Sequence, residues 1–246
     1  MFTEAFHNIK FWTERRRAEL TEMVGERCEH TIQTGPFAGM ICLPWWCWGD
    51  GDHLPKLLGT YESELYDIAE QQIAAKPDFI LNVGCAEGFW GLGMAMRTQA
   101  PTVLVDINPL ALEIAEANAG ANALTNVNYS NDCSAINIQS QLDKTQHPFM
   151  VMDCEGFEEQ YLDLTAVPAL TKTTVLLESH DCFRAGMTDL ITSRFAETHD
   201  VTAITQGAKN PYVDVVADLG DHEKMLMCIE GRPSTMTWLY LTPKAS

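Results

Sequence analysis

Gly84, Gly88, Gly91 and Gly93 crowd into the stretch from Phe79 to Met96, where an apolar run, Phe79 to Val83, gives way to a helical period. A glycine that ends a strand lets the backbone turn sharply, and one that opens a helix lets a ligand approach the main chain closely. Gly84 and Gly88 hold those two places, so the loop suits a nucleotide-like ligand. Its spacing differs from the dinucleotide pattern G-x-G-x-x-G. About twenty residues on, Val105-Asp106 ends a second β-rich run, where a carboxylate can accept both hydroxyls of a ribose. Asp132, in Asn131-Asp132-Cys133, follows the next such run and is placed to contact the exocyclic amine of adenine.

These positions make sense only on a repeating framework of strands and helices. Tyr61 to Ala75 has a helical period, Phe79 to Val83 reads as a strand, and Gly88 to Arg97 as a helix. The unit then repeats with a strand at Thr102 to Asp106, a helix at Pro109 to Ala119 with proline in its first turn, and a strand at Val127 to Ser130. Phe149 to Asp153 and Thr174 to Glu178 read as two more strands with a helix around Glu158 to Ala169 between them. Val201 to Ile204 and Thr235 to Leu241 supply the last two, around a helix-like insert at Val213 to Met227. Alternation of this kind predicts a parallel sheet covered on both faces, with ligands at the carboxyl ends of its strands. Ahead of it, Phe2, Phe6, Ile9, Leu20 and Met23 mark one amphipathic helix or two short ones that act as a lid, followed by a loop-rich connector containing Trp45, Trp46 and Trp48. The tryptophans are read first as a hydrophobic plug and second as an aromatic wall of a pocket.

Composition narrows the classes of partner. The 246 residues carry a net charge of -18, and a field of that sign repels polyanions, so nucleic acid is excluded as an expected substrate. Arg15-Arg16-Arg17 lies between Glu14 and Glu19 and reads as a solvated, salt-bridged face. No window approaches the roughly eighteen uninterrupted apolar residues of a membrane span. The N-terminal stretch lacks the apolar core of a secretory signal, so a cytoplasmic protein is expected. Its eight cysteines form no CxxC pair or zinc-finger spacing and are expected as free thiols.

Asn82-Val83-Gly84-Cys85-Ala86-Glu87-Gly88, Val105-Asp106-Ile107-Asn108 and Asn131-Asp132-Cys133 resemble the first three cofactor motifs of class I S-adenosylmethionine-dependent methyltransferases. Asn82 stands where that first motif usually has an acid. Asp153-Cys154-Glu155-Gly156-Phe157-Glu158 is similar to the D-x-E-G-x-E signature of the FkbM-type members, although Met152 stands where they often carry a nearby lysine. The resemblance runs from about Gly59 to Glu178. It implies a Rossmann-like, doubly wound, mostly parallel seven-stranded sheet over residues 59–246, with residues 1–58 as an N-terminal helical cap and connector. It also implies S-adenosylmethionine as cofactor, held by Glu62, Gly84, Cys85, Gly88, Asp106, Ile107, Asp132 and Cys133, with Glu62 reaching the methionine end.

On such a sheet the methyl group is presented near the ends of the fourth and fifth strands, which carry Asp153, Glu155, Glu158, Glu178, His180 and Asp181. Transfer to oxygen or nitrogen needs a base for the nucleophile's proton, and imidazole titrates nearest neutrality. His180 is therefore the candidate base, with Asp153 or Glu155 positioning the acceptor; the alternative is a histidine that merely orders its loop. A second arrangement has Asp153, Glu178 and Asp181 holding a magnesium ion. Arg232 can pair with a substrate carboxylate or, more readily, with a surface acid. The expected activity is methylation of a hydroxyl or amine of a small molecule, by a monomer or a homodimer and without nucleic-acid or membrane partners. Two rivals stay open: a transferase or cyclase that releases methylthioadenosine, and a non-catalytic subunit that keeps the fold for interaction.

Overall fold

The computed structural model describes residues 2–45, 47 and 52–244. Among them, seven strands form one sheet: β1 (Phe79–Val83), β2 (Thr102–Val105), β3 (Val127–Ser130), β4 (Pro148–Met152), β5 (Thr174–Ser179), β6 (His199–Thr205) and β7 (Thr237–Pro243). Their order is β3-β2-β1-β4-β5-β7-β6, with β1 to β5 parallel and β7 antiparallel to both its neighbours. This is the Rossmann-like, doubly wound, mostly parallel arrangement that the sequence predicts.

The inner strands are apolar on both faces because helices cover both. Residues Phe79 to Val83 are all buried. Phe79, Leu81 and Val83 join a cluster with Ile138 and Leu142 of α6 (Ala135–Leu142) and Ile191 of α8 (Met187–Phe195). Ile80 points the other way, into a cluster with Leu92 of α4 (Phe89–Thr98) and Ala115 of α5 (Pro109–Ala121). Successive strand residues face opposite sides, so a run that is apolar save for Asn82 serves two cores at once. The second cluster also takes in Leu20 and Val24 of α1 (Phe2–Arg27) and Leu54 of α2 (His53–Leu58), so the N-terminal segment packs into the same core as α4 and α5.

Several elements differ from expectation. The helix predicted around Glu158 to Ala169 is only α7 (Glu158–Tyr161) and, after a turn, a 3-10 segment at Pro168–Lys172. Proline disfavours the helical conformation in the residue before it, and Val167 lies outside the helical region with φ -129° and ψ 71°. The insert before β7 likewise splits, into a 3-10 turn at Asp214–Val216 and α9 (Asp221–Met227), which begins after Gly220. The helix expected from Tyr61 starts as a 3-10 turn at Ser63–Leu65 and becomes α3 only at Tyr66–Ala75, because Glu62 is left-handed with φ +49°. α2, α6 and α8 are too short for a periodic pattern to mark them. The amphipathic N-terminal segment forms one helix, α1; the side chains of Phe2, Phe6 and Ile9 lie outside the described residues. Arg27 reaches Asp218 at 2.8 Å and Arg16 pairs with Glu223, which ties α1 to the segment around α9. Trp45 is 52% exposed, neither plug nor wall of the main cleft, while Trp46 and Trp48 lie outside the described residues. Among the described residues no helix is long and apolar enough to cross a membrane.

Register decides what the sheet presents. Val83 pairs with Val105 and Met152, Val105 with Ser130, and Met152 with Leu177. The residues that follow these aligned ends are Gly84, Asp106, Asn131, Asp153 and Glu178, all on one edge.

Candidate active site

At the end of β1 the chain turns through Gly84 (φ +70°) so close to β4 that a Cβ would stand 1.6 Å from the Asp153 carbonyl oxygen. Only glycine fits there. Gly84 and Cys85 donate their N–H groups to the Val105 carbonyl at 2.8 and 3.1 Å, and Ala86 donates to Asp106 Oδ2 at 2.9 Å. The other Asp106 oxygen accepts from Asn108 N at 2.9 Å, so the carboxylate is oriented by two backbone donors and each oxygen keeps a lone pair. Burial pushes the Asp106 carboxyl up from its ordinary value, opposed by those two N–H groups. Asn82, in place of an acid, accepts from Gly91 N at 3.0 Å and thereby fixes α4 against β1. Gly88 corrects the expectation of a close approach by ligand: its φ of +92° and the side chains of Leu92 and Ala115 require glycine, and it lies off the cleft wall.

Beyond β4 and β5 three side chains converge. His180 is 3% exposed, and its Nδ1 lies 2.6 Å from Glu158 Oε1. Glu158 is wholly buried and also accepts from the N–H groups of Cys154 and Gly156, at 3.3 and 3.2 Å. A carboxylate at Nδ1 fixes that nitrogen as the donor and leaves Nε2 facing Asp153 Oδ1 and Glu155 Oε2, both at 3.5 Å. Burial lowers the pKa of His180, but the hydrogen bond and charge of Glu158, helped by Glu178 and Glu155, outweigh it and the net shift is upward. Burial likewise raises Asp153, and the adjacent Glu155 and Glu62 raise it further.

A second group of charges lies deeper. Arg232 donates to Glu62 and Glu178, and to Glu230 at 2.8 Å, with its guanidinium 5.6 Å from the Tyr61 ring and 4.9 Å from that of Trp238. Its partners are buried acids rather than the surface acids expected. Glu62 also accepts from Trp90 Nε1, so its carboxylate is held by protein groups on both oxygens. Burial, with Asp153 and Glu62 nearby, pushes Glu178 up to about 8 against the opposing pull of Arg232. Lys56 of α2 forms a buried pair with Glu87 and lies 4.6 Å above the Tyr61 ring.

These groups line one cleft of about 510 Å³, which Gly84, Asp106, Ile107, Cys133, Asp153, Glu155, Glu178, His180 and Arg232 share. Phe157 and Phe183 are exposed at its wall, and the His180 and Phe183 rings stack at 5.6 Å. A chamber of about 50 Å³, bordered by Glu62, Cys85 and Trp90, adjoins it through Lys56, Tyr61 and Gly84. Among the described residues of the N-terminal cap, Asp52 and Lys56 reach the cleft wall and those of α1 do not.

Two expectations are corrected here. Asp132 lies off the wall, exposed, with Oδ1 accepting from Ser134 N at 2.9 Å, because the loop into α6 uses its carboxylate for a turn; Cys133 faces the cleft instead. The magnesium set of Asp153, Glu178 and Asp181 is not assembled: Glu178 is held by Arg232, and Asp181 accepts from Gly186 N and Thr188 around its own loop. Among the described residues, the atoms that do lie together belong to Asp153, Glu155 and His180, within 4.8 Å of one another. The role of Glu158 went unassigned, although the last position of the D-x-E-G-x-E match pointed to it. Nothing in the sequence marked Lys56.

No protein-family model and no curated protein matches the chain. Solved structures similar in backbone include several methyltransferases. TomG, an O-methyltransferase from Streptomyces achromogenes involved in tomaymycin synthesis and solved in complex with SAM, is 14% identical over 71% of this chain and 78% of its own, with a TM-score of 0.46. An O-methyltransferase from Bacillus cereus in complex with SAH is 12% identical over 72% and 79%, also at 0.46. The precorrin-6Y C5,15-methyltransferase from Geobacter metallireducens is 10% identical over 73% and 88%, at 0.49.

Proposed function

We propose that this chain is an S-adenosylmethionine-dependent methyltransferase that acts on a hydroxyl or amine of a small molecule and is FkbM-like in its acceptor half. The observation that carries this is the meeting, on one sheet edge and around one cleft, of the Gly84 turn, the backbone-oriented Asp106 and the cluster of Asp153, Glu155 and His180. The residues fit the cofactor: Gly84 keeps the turn free of side chain, Asp106 retains lone pairs for two ribose hydroxyls, and Ile107 and Cys133 offer apolar walls for a base. A cleft of about 510 Å³ falls within the ~300–1,000 Å³ usual for small-ligand sites. When bound, S-adenosylmethionine supplies an electrophilic methyl group on a sulfonium centre.

The remaining work belongs to the chain. His180 Nε2, with its tautomer fixed by Glu158, is the acceptor for the nucleophile's proton. Asp153 and Glu155 flank that nitrogen and hold the acceptor molecule in line. Phe157, Tyr161 and Phe183 line the cleft and give the acceptor an apolar wall. The net charge of -18 favours a neutral or cationic acceptor over nucleic acid.

Calorimetric titration with S-adenosylmethionine and S-adenosylhomocysteine tests the cofactor half. Saturable binding is expected, with Asp106→Ala weakening it at least tenfold, about 1.4 kcal/mol. A folded wild type that binds neither compound ends the methyltransferase reading. In turnover, S-adenosylhomocysteine is the expected product, and methylthioadenosine in its place would establish the rival transferase.

A further inference from the structure

We infer that Asp153, Glu155 and His180 form a binding site for one divalent first-row transition ion, of the Mn²⁺ or Zn²⁺ kind. Glu158 accepts a hydrogen bond from His180 Nδ1, so in the neutral imidazole Nε2 carries the lone pair. That lone pair faces two carboxylate oxygens at 3.5 Å, beyond the ~2.7–3.2 Å of an N–H···O hydrogen bond. With His180 neutral and both carboxylates ionised, these three electron-rich atoms within 4.8 Å of one another offer their lone pairs to a cation between them. Asp153 Oδ1 is buried and has no hydrogen-bond partner among the described residues, while His180, 3% exposed, has its Nε2 aimed into the same space.

The two nitrogen–oxygen separations are those of ligands around an ion. Donors ~2.1 Å from a common centre and ~110° apart stand ~3.4 Å from each other, close to the 3.5 Å found for both nitrogen–oxygen pairs. The carboxylate behind the imidazole is the outer support that metal-bound histidines usually have, and it raises the basicity of the ligand nitrogen. One imidazole and two carboxylates suit Mn²⁺, Fe²⁺ or Zn²⁺ better than Ca²⁺ or Mg²⁺, which prefer all-oxygen sets. Glu155 is 64% exposed and all three residues line the cleft, so remaining coordination positions open toward the acceptor. With the ion bound, His180 is a ligand and the ion's charge replaces it in promoting loss of the acceptor's proton to solvent. That role rests on methyl transfer; the binding site itself does not.

The test uses the full chain stripped of metal with a chelator. Titration with Mn²⁺, followed by loss of the free-ion electron paramagnetic resonance signal and by calorimetry, is expected to show one ion per chain. Glu155→Gln and His180→Gln should weaken it at least tenfold, while Glu116→Gln on the exposed face of α5 leaves it unchanged. Glu155 is exposed, so its variant keeps the fold, as circular dichroism would verify. No binding, or binding that Glu155→Gln leaves intact, overturns the inference. Mn²⁺ binding without S-adenosylmethionine binding would remove the methyltransferase reading and keep the metal site; the reverse result would do the opposite.

Discussion

Replacing Arg232 by Met would take one cation from among three buried acids while keeping most of the side chain's volume. The carboxylates of Glu62, Glu178 and Glu230 have side chains only 4%, 4% and 0% exposed. Their losses differ. Glu62 keeps Trp90, and Glu230 keeps Lys209 at 2.7 Å and the Glu62 N–H at 3.1 Å. Glu178 keeps no other side-chain hydrogen bond among the described residues, so the cost concentrates there. Breaking a buried pair by removing one partner costs about 3–5 kcal/mol, and Glu178, raised to about 8 and so largely protonated at pH 7 already, leaves little uncompensated charge, which places this case near the lower end, about 3 kcal/mol. The pH dependence is sharper than the magnitude. Glu178 stands at about 8 in the wild type, and loss of Arg232 sends it higher. Below pH 8 the group is protonated in both folded proteins; above it, the wild type has finished losing stability from this source while the variant continues to lose it. Urea unfolding at pH 6 and pH 9 would therefore show a larger deficit at pH 9. A loss under about 1 kcal/mol at pH 7, or a deficit that shrinks as pH rises, refutes the assignment of Arg232 as the charge that holds this cluster together.

Two further outcomes follow from the same geometry. Gly84→Ala should destabilise by about 3 kcal/mol, from a left-handed backbone cost of ~1–2 and overpacking against the Asp153 carbonyl of ~1–3 kcal/mol; a thermal midpoint equal to the wild type's would mean the strand end yields freely. Glu178 has a folded pKa above its unfolded one, so its contribution is fully present below pH ~4.5 and is lost as pH rises toward about 8. Glu178→Gln should accordingly flatten the fall in stability across that interval, measured by denaturant unfolding, and an unchanged pH profile would contradict the burial argument.

How far each feature was legible depends on whether its cause is local. β1 and β3 were readable to the residue: β1, buried on both faces, is a short run that is apolar save for Asn82, while β3, only partly buried, sets β-prone Val127 and Tyr129 alternately with polar Asn128 and Ser130. The helix predicted at Glu158 to Ala169 failed where Pro168 interrupts it. Asp132 was misassigned for a related reason: a short acid after a strand can serve a ligand or its own loop, and Ser134 N claimed it. Asp106 looked no different in sequence, but the turn through Ala86 holds its carboxylate against the cleft.

By itself the sequence determined the alternation of strands and helices, the demand for glycine at residue 84 and the presence of acids and a histidine after β4 and β5. These follow from periodicity and from backbone conformations that one residue imposes on its neighbours. Only the tertiary structure decided which acids act together. Asp153, Glu155 and His180 converge because β4 and β5 are paired in register, whereas Glu178, two residues before His180, faces Arg232 from 54 positions away. Electrostatic partnership depends on distance in space and on burial, and neither quantity is carried by spacing along the chain.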